Sequence, residues 1–305
     1  MATASVWPKY AFSVFFIGGL AGACAPRPVA TAWTDAVPAE RPKPPVIGDA
    51  PLARNANIGL GLPAMRVATE ILISHKQYVL SWNDRTRNVN WAAWRLRDAD
   101  LGAVSRTDHF AIDEALQDYL TENTSASAVR PEEFVATCID RGHQVPSGDR
   151  TDSRADNAVT FIMSNIIPQS AWLNRTVWQH LEAYSRDQIR GTAGTLYVIA
   201  GPIFGEHPRK IGLEDEISVA EKNFKIVVRG GPTPTIVAAV IMPNVTSHGT
   251  DPVVDHEQAC EDQRRFGKPP ETSPPPDWMQ YRVSVAAIER AAGINLSFLD
   301  SAQRD

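Results

Sequence analysis

Residues 138–146 read Cys138-Ile139-Asp140-Arg141-Gly142-His143-Gln144-Val145-Pro146. His143 carries a side chain that titrates near neutral pH and can take a proton from water. Arg141, two residues earlier, presents a planar fork of donors that matches phosphate oxygens. Gly142 between them lets backbone approach closely or take a positive φ. The β-rich pair Phe134 and Val135 leads in, so residues 140–143 are expected to form a turn. Together these residue types predict a site that handles a phosphodiester.

Twenty residues downstream comes Ser164-Asn165-Ile166-Ile167-Pro168-Gln169, then a long helical pattern from Ser170 to Arg190. Leu173, Val177 and Leu181 fall at i, i+4 and i+8 and make one apolar stripe. Asn174 and Glu182 are separated by two turns and, at 100° per residue, by about 80° around the axis. Glu182 and Arg186 are i, i+4 neighbours. One helix can therefore present an amide oxygen, a carboxylate and a guanidinium, and oxygen donors suit Mg²⁺. Read alone, Glu182 and Arg186 would be an exposed ion pair of little energetic consequence, and Asn165 a turn-forming amide.

At these residues the chain resembles the DNA/RNA non-specific endonucleases, the family of the Serratia-type secreted nuclease and mitochondrial endonuclease G. The D-R-G-H motif is Asp140 to His143, the S-N-[IV]-x-P-Q motif is Ser164 to Gln169, and the L-N-Q-x-x-W-x-x-L-E block is Leu173 to Glu182. Arg175 departs from the family's Gln, directly after the amide, and so bears on how that amide is held. Weaker similarity runs through 78–106, 197–204, 224–227 and 282–293, so the resemblance spans roughly residues 65 to 300. It implies His143 as general base and Asn174 as the direct protein ligand of a hydrated Mg²⁺, with Mn²⁺ as a substitute ion. It implies that Glu182 acts on the metal through water, that Arg141 contacts phosphate or the metal's water shell, that Arg106, the best match in a variable segment, contacts phosphate, and that Arg186 binds substrate and stabilises the transition state. Asp140 is expected to orient the turn rather than bind metal. DNA and RNA are the implied substrates, 5′-phosphate ends the implied products, and a second copy of the chain or an inhibitor protein the implied partners.

The 305 residues are 43% hydrophobic and 21% charged, ordinary for a globular protein with a substantial core, which excludes a disordered chain or a multi-span membrane protein. Strand character appears at Tyr78–Trp82, Thr195–Ala200, Phe224–Val228, Ile236–Met242 and Tyr281–Val285, and a second helix is expected over Ala286–Gly293 with Ile288 and Ala291 inward. Strands and helices do not alternate regularly, so the residues predict α+β with a largely antiparallel central sheet flanked by helices; the resemblance specifies the ββα-metal nuclease fold. Net charge is −5, which disfavours a non-specific nucleic-acid coat protein but leaves room for a few arginines in one cleft. That acidity also motivates a different reading, a catalytically silent nucleic-acid-binding or envelope scaffold protein on the same fold.

Residues 1–25 read as a signal peptide, with Lys9 before the apolar run 10–23 and an Ala23-Cys24-Ala25 cleavage site that doubles as a loose lipoprotein box. Residues 26–52 are Pro/Ala-rich and read as a tether to a nuclease domain over 53–302; 268–276 is a Pro-rich loop within it. Export to the periplasm, envelope or medium is the preferred localisation, with mitochondrial import the alternative. Asn174-Arg175-Thr176 is a glycosylation sequon, so passage through a eukaryotic secretory pathway would block the implied ligand. In an oxidising compartment Cys138 and Cys260 can pair, or remain two isolated thiols. His248, Asp251, Asp255, His256, Glu257 and Cys260 bunch together without a familiar ligand spacing, and His180 is expected to be solvated. Trp91, Trp94, Trp172 and Trp178 are expected in the core.

Overall fold

In the computed structural model, which describes residues 43–66, 69–214, 216–266 and 277–304, the β-branched and aromatic runs assemble into one eight-stranded sheet. The signal segment, Cys24, the tether up to residue 42 and the loop 268–276 lie outside the described residues. In chain order the strands are β1 (Val46–Ile47), β2 (Ala64–Met65), β3 (Ile71–Ser74), β4 (Val79–Asn83), β5 (Asn88–Leu96), β6 (Asp140–His143) and β7 (Ile166–Gln169). There follow β8 (Leu196–Ile203), β9 (Lys210–Ile211), β10 (Ile217–Ser218), β11 (Lys222–Arg229), β12 (Thr235–Pro243), β13 (Ile294–Asn295) and β14 (Gln303–Arg304). The helices are α1 (Glu114–Asn123), α2 (Arg154–Val159), α3 (Ala171–Leu173), α4 (Gln179–Asp187), α5 (His256–Arg265) and α6 (Val285–Ala292). The central sheet has the order β1-β3-β4-β5-β8-β11-β12-β14 and is antiparallel except at its two edges, where β1 joins β3 and β14 joins β12 in parallel.

Period-two alternation divides the sheet between two cores. In β5, Ala92, Trp94 and Leu96 face one core, and Trp91 and Ala93 the other. In β11, Val227 faces the first core while Phe224, Ile226 and Val228 face the second. The first core takes Val177, Trp178 and Leu181 from the long helix and Ile166 and Ile167 from β7; the second takes Ile288 from α6. The sheet is thus covered by helices on both faces, the expected α+β arrangement. Trp91, Trp94 and Trp178 are buried in it and Trp172 packs on its margin.

Several local expectations change. Residues 140–143 form a strand, β6, paired antiparallel with β7 in a separate ribbon, Asp140 opposite Gln169 and His143 opposite Ile166. Its lead-in is a 3₁₀ turn at Pro131–Phe134, started by the proline, rather than a β-run. Residues 281–285 form no strand, because the Ser284 hydroxyl accepts from the Ala287 N–H at 3.1 Å and starts α6; helix capping outweighs the β-propensity of Val283 and Val285. The inward face of α6 is Val285, Ile288 and Ala292, and Ala291 is exposed. Gly293, at φ 64°, ends the helix as expected. The tether expected to reach Leu52 stops sooner, since Val46 and Ile47 pair with Leu72 and Ile73 on the sheet edge.

The β6–β7 ribbon is locked by Asn165. Its Oδ1 accepts from the Val145 N–H at 3.0 Å, and its Nδ2 donates to the carbonyls of Val145 and Thr160, both at 2.9 Å. Asn165 is fully buried, so its removal strands three backbone groups away from water. Asn165→Ala is expected to lower stability by about 3 kcal/mol, read as a lower urea midpoint with an unchanged m-value.

Candidate active site

Strand β6, the segment before it and the long helix converge on one cleft of about 620 Å³. Arg106, Arg141, His143, Asn174, Glu182 and Arg186 all line it, so the six residues singled out in the sequence are brought together. Alternation in β6 puts Arg141 and His143 on one side, and both meet Phe110: the guanidinium lies 4.1 Å above the ring and the imidazole centroid 5.6 Å from it. Phe161 packs edge-on to His143 at 4.8 Å and lies 4.9 Å beneath the Arg106 guanidinium. Gly142 is required by close approach rather than by positive φ, since a Cβ there would overlap the Gln169 amide across the ribbon.

His143 is 7% exposed. Burial against the two phenylalanines, reinforced by the charges of Arg106 and Arg141, lowers its pKa from 6.5 to about 3. The ring is therefore neutral throughout the physiological range. Its Nε2 is enclosed without a hydrogen-bond partner among the described residues.

The long helix is not uniform. Between α3 and α4, residues Asn174–Trp178 form a π-helical turn. The extra residue in that turn makes eight residues advance as about seven α-helical steps, roughly 20° short of two full turns. Asn174 and Glu182 consequently share a face, closer than regular helical spacing predicts. The Asn174 Nδ2 donates to Asp140 Oδ2 at 2.9 Å. A carboxylate only accepts, so this bond assigns the amide and leaves Oδ1 for the cleft. Asp140 is 6% exposed and held by Arg175, in keeping with an orienting role.

Glu182 Oε1 accepts from Lys225 Nζ at 3.0 Å. Lys225 is wholly buried in β11, on the sheet face of Trp94, with its ammonium 3.9 Å from the Trp178 ring. Burial lowers its pKa and the Glu182 charge counteracts this. Arg186 donates to Asp149 Oδ1 at 3.0 Å, and Asp149 Oδ2 accepts from the Trp94 indole at 2.9 Å. Arg106 pairs with Asp108, while Arg141 enters none of the ion pairs among the described residues. The cleft thus holds an unpaired arginine beside a neutral imidazole, despite the chain's net charge of −5.

Lys225, Asp149 and Phe161 went unrecognised in the sequence. Only Lys225 left a signal there, as a lone charge within an apolar strand that must find a partner. The His248–Cys260 group resolves into structural roles. Asp255 caps α5, accepting from Gln258 N at 3.3 Å, and Asp251 accepts from Val253 N at 2.8 Å. Cys260 is bonded to Cys138. Cys138, His256 and Cys260 lie within 4.8 Å of one another, but the two sulfurs are joined and offer no thiolate. His180 is half-buried rather than solvated, with Nδ1 enclosed.

The depressed pKa of His143 links to stability. Below about 6.5 the unfolded chain binds a proton that the native state refuses, so native stability falls as pH drops from 6.5 towards 3. The expected contribution is about 1.4 kcal/mol per pH unit. His143→Gln is expected to remove it, leaving a flatter stability profile between pH 6.5 and 5 than the unaltered protein shows in urea melts.

Comparison with known proteins identifies the family. The model of the DNA/RNA non-specific endonuclease family matches residues 64–305. A nuclease of Nostoc sp. is 31% identical over 250 residues, covering 77% of each chain. Bovine mitochondrial endonuclease G is 32% identical over 136 residues, covering 44% of this chain and 42% of that one. A chain in the crystal structure of an EndoG/EndoGI complex superposes with a TM-score of 0.63 at 21% identity, covering 84% of this chain and 97% of that chain. That likeness shows the ββα-metal nuclease fold, and the family implies a divalent metal. The chain belongs to the DNA/RNA non-specific endonuclease family, and is thereby an endonuclease, a phosphodiester hydrolase.

Proposed function

We propose that the protein is a Mg²⁺-dependent, sugar-non-specific endonuclease that cleaves both DNA and RNA to 5′-phosphate and 3′-hydroxyl ends. The observation that carries this reading is the neutral, enclosed His143 in a cleft shared with Asn174, Glu182 and three phosphate-matching arginines. His143 takes a proton from water as the water oxygen bonds to phosphorus; the P–O3′ bond breaks, and the departing 3′-oxygen takes a proton from solvent to become the 3′-hydroxyl. Arg141, in no ion pair among the described residues, binds a non-bridging phosphate oxygen, and Arg106 and Arg186 flank it. Burial is the main cause of the lowered His143 pKa and the Arg106 and Arg141 charges add to it; a bound phosphate offsets that second part.

The donors present fit a hydrated divalent cation. Asn174 Oδ1 is turned away from Asp140, and the Glu182 carboxylate reaches the same cleft. One amide oxygen and one carboxylate are few ligands, which suits an ion that keeps most of its waters. Asn174 would hold it directly and Glu182 through water, with Mn²⁺ able to replace Mg²⁺. When bound, the cation supplies charge stabilisation at the leaving 3′-oxygen.

The signal-like segment and the bonded Cys138 and Cys260 support an exported enzyme. No helix among the described residues is long and apolar enough to cross a membrane. A mature N-terminus near Cys24 or Pro26 in an envelope or medium fraction is expected; recovery in mitochondria would refute export.

Plasmid DNA and RNA incubated with the purified protein are expected to be cut with Mg²⁺ and spared in EDTA. His143→Ala is expected to retain the fold by circular dichroism and to lose about 100-fold or more in rate. Undiminished cleavage by that variant would remove His143 as the base. Absence of cleavage by the folded, unaltered protein would overturn the assigned chemistry.

A further inference from the structure

Arg175 follows the Asn174 amide and reaches across to two other elements. Its Nε donates to Asp140 Oδ2 and its Nη2 to Asp140 Oδ1, both at 2.7 Å. Its Nη1 donates to the carbonyls of Gln263 and Phe266, at 3.0 and 2.9 Å, at the C-terminal end of α5. Gln263 Nε2 adds a bond to Asp140 Oδ1 at 3.3 Å. With the bond from Asn174, the Asp140 carboxylate accepts from three residues at once. A glutamine at position 175 has too few donors to hold the carboxylate and both carbonyls together.

Helix α5 is itself fastened to the strand it supports. Cys260, in its middle, is bonded to Cys138, two residues before Asp140. The loop between is backbone-strained: Ala136 at φ 60° and Cys138 at φ 55° are non-glycine residues in the left-handed region. Such conformations are costly for residues with a Cβ and persist only where the surroundings enforce them. Opening the cross-link removes the covalent restraint on this loop and on α5 together.

We propose that the Cys138–Cys260 disulfide, helix α5 and Arg175 form a brace that holds Asp140 so that the Asn174 amide oxygen stays turned into the cleft, and that the site binds its divalent cation tightly only when the disulfide is formed. This rests on the reading of Asn174 as the metal ligand. Arg175 and Asp140 are positioning residues: they act through the orientation of one amide. Reduction is a two-electron exchange in which a dithiol gives two electrons and two protons, the bond opens to two thiols, and the dithiol closes to its own disulfide. In a reducing compartment the chain is then a poor metal binder, and it gains its cation after reaching an oxidising one. A nuclease built this way spares the nucleic acid of the compartment where it is made.

The test is Mn²⁺ binding to the full chain, by calorimetry and by electron paramagnetic resonance of the free ion, before and after dithiol treatment. Reduction is expected to weaken Mn²⁺ affinity by about tenfold or more, the usual effect of losing an outer-shell support. Arg175→Gln is expected to do the same while oxidised, and a Cys138→Ser, Cys260→Ser double variant to bind weakly with or without dithiol. Nucleic-acid affinity in EDTA, which depends on Arg106, Arg141 and Arg186, is expected to stay within twofold and so separates a lost brace from a lost fold. Equal Mn²⁺ affinity in all four proteins would overturn the brace. So would parallel loss of Mn²⁺ and nucleic-acid affinity on reduction, the mark of general unfolding. Failure of the oxidised, unaltered chain to bind any Mn²⁺ would overturn the metal site and the brace with it.

Discussion

The cleft depends on a four-residue pairing, Asp140–His143 against Ile166–Gln169. That ribbon determines which way each side chain of the motif points. Arg141 and His143 share one side and meet Phe110, while any Cβ at Gly142 would force the buried Gln169 side chain to move. Slipping the register by one residue would turn the imidazole away from the cleft and the aspartate away from the helix. The pairing is short, so backbone hydrogen bonds alone secure it weakly. The buried Asn165 amide and the apolar contacts of Ile166 and Ile167 supply the rest.

Charge in this protein is arranged by burial rather than by total. The chain as a whole is acidic, yet the cleft carries arginines whose partners are assigned. Arg186 has Asp149, Arg106 has Asp108, Arg175 has Asp140, and Arg141 has no ion-pair partner among the described residues. The same burial keeps His143 neutral and forces Lys225 to pair with Glu182. A buried ion pair is seldom chosen for stability, because both ions lose their hydration. Here it holds a carboxylate in a defined position on the wall of the cleft, a geometric service that an apolar pair could not perform.

Much of this was legible in the sequence because it depended on local rules. The sheet strands declared themselves by β-branched and aromatic runs, the long helix by Leu173, Val177 and Leu181, and the end of α6 by Gly293. The residues that line the candidate site stood out because their chemistry is rare in combination at such spacing. The readings that failed did so where a local preference met a stronger competitor. Ser284 captured Val283 and Val285 for a helix entry, Pro131 turned the approach to β6 into a 3₁₀ turn, and an edge of the sheet recruited Val46 and Ile47 from a Pro-rich stretch.

By itself, then, the order of residues determined the α+β class, the family resemblance and the identity of six cleft residues, since periodicity and motif spacing are written along one dimension. Tertiary structure alone decided that β6 is a strand rather than a turn, that a π-helical turn aligns Asn174 with Glu182, and that Cys138 meets Cys260 across 122 residues. It alone decided that Arg175 reaches α5, and that Lys225 lies beneath Glu182. Apart from the π-helical turn, each of these is a contact between segments distant in the chain. Its energy comes from desolvation and close packing, which exist only once the elements have met.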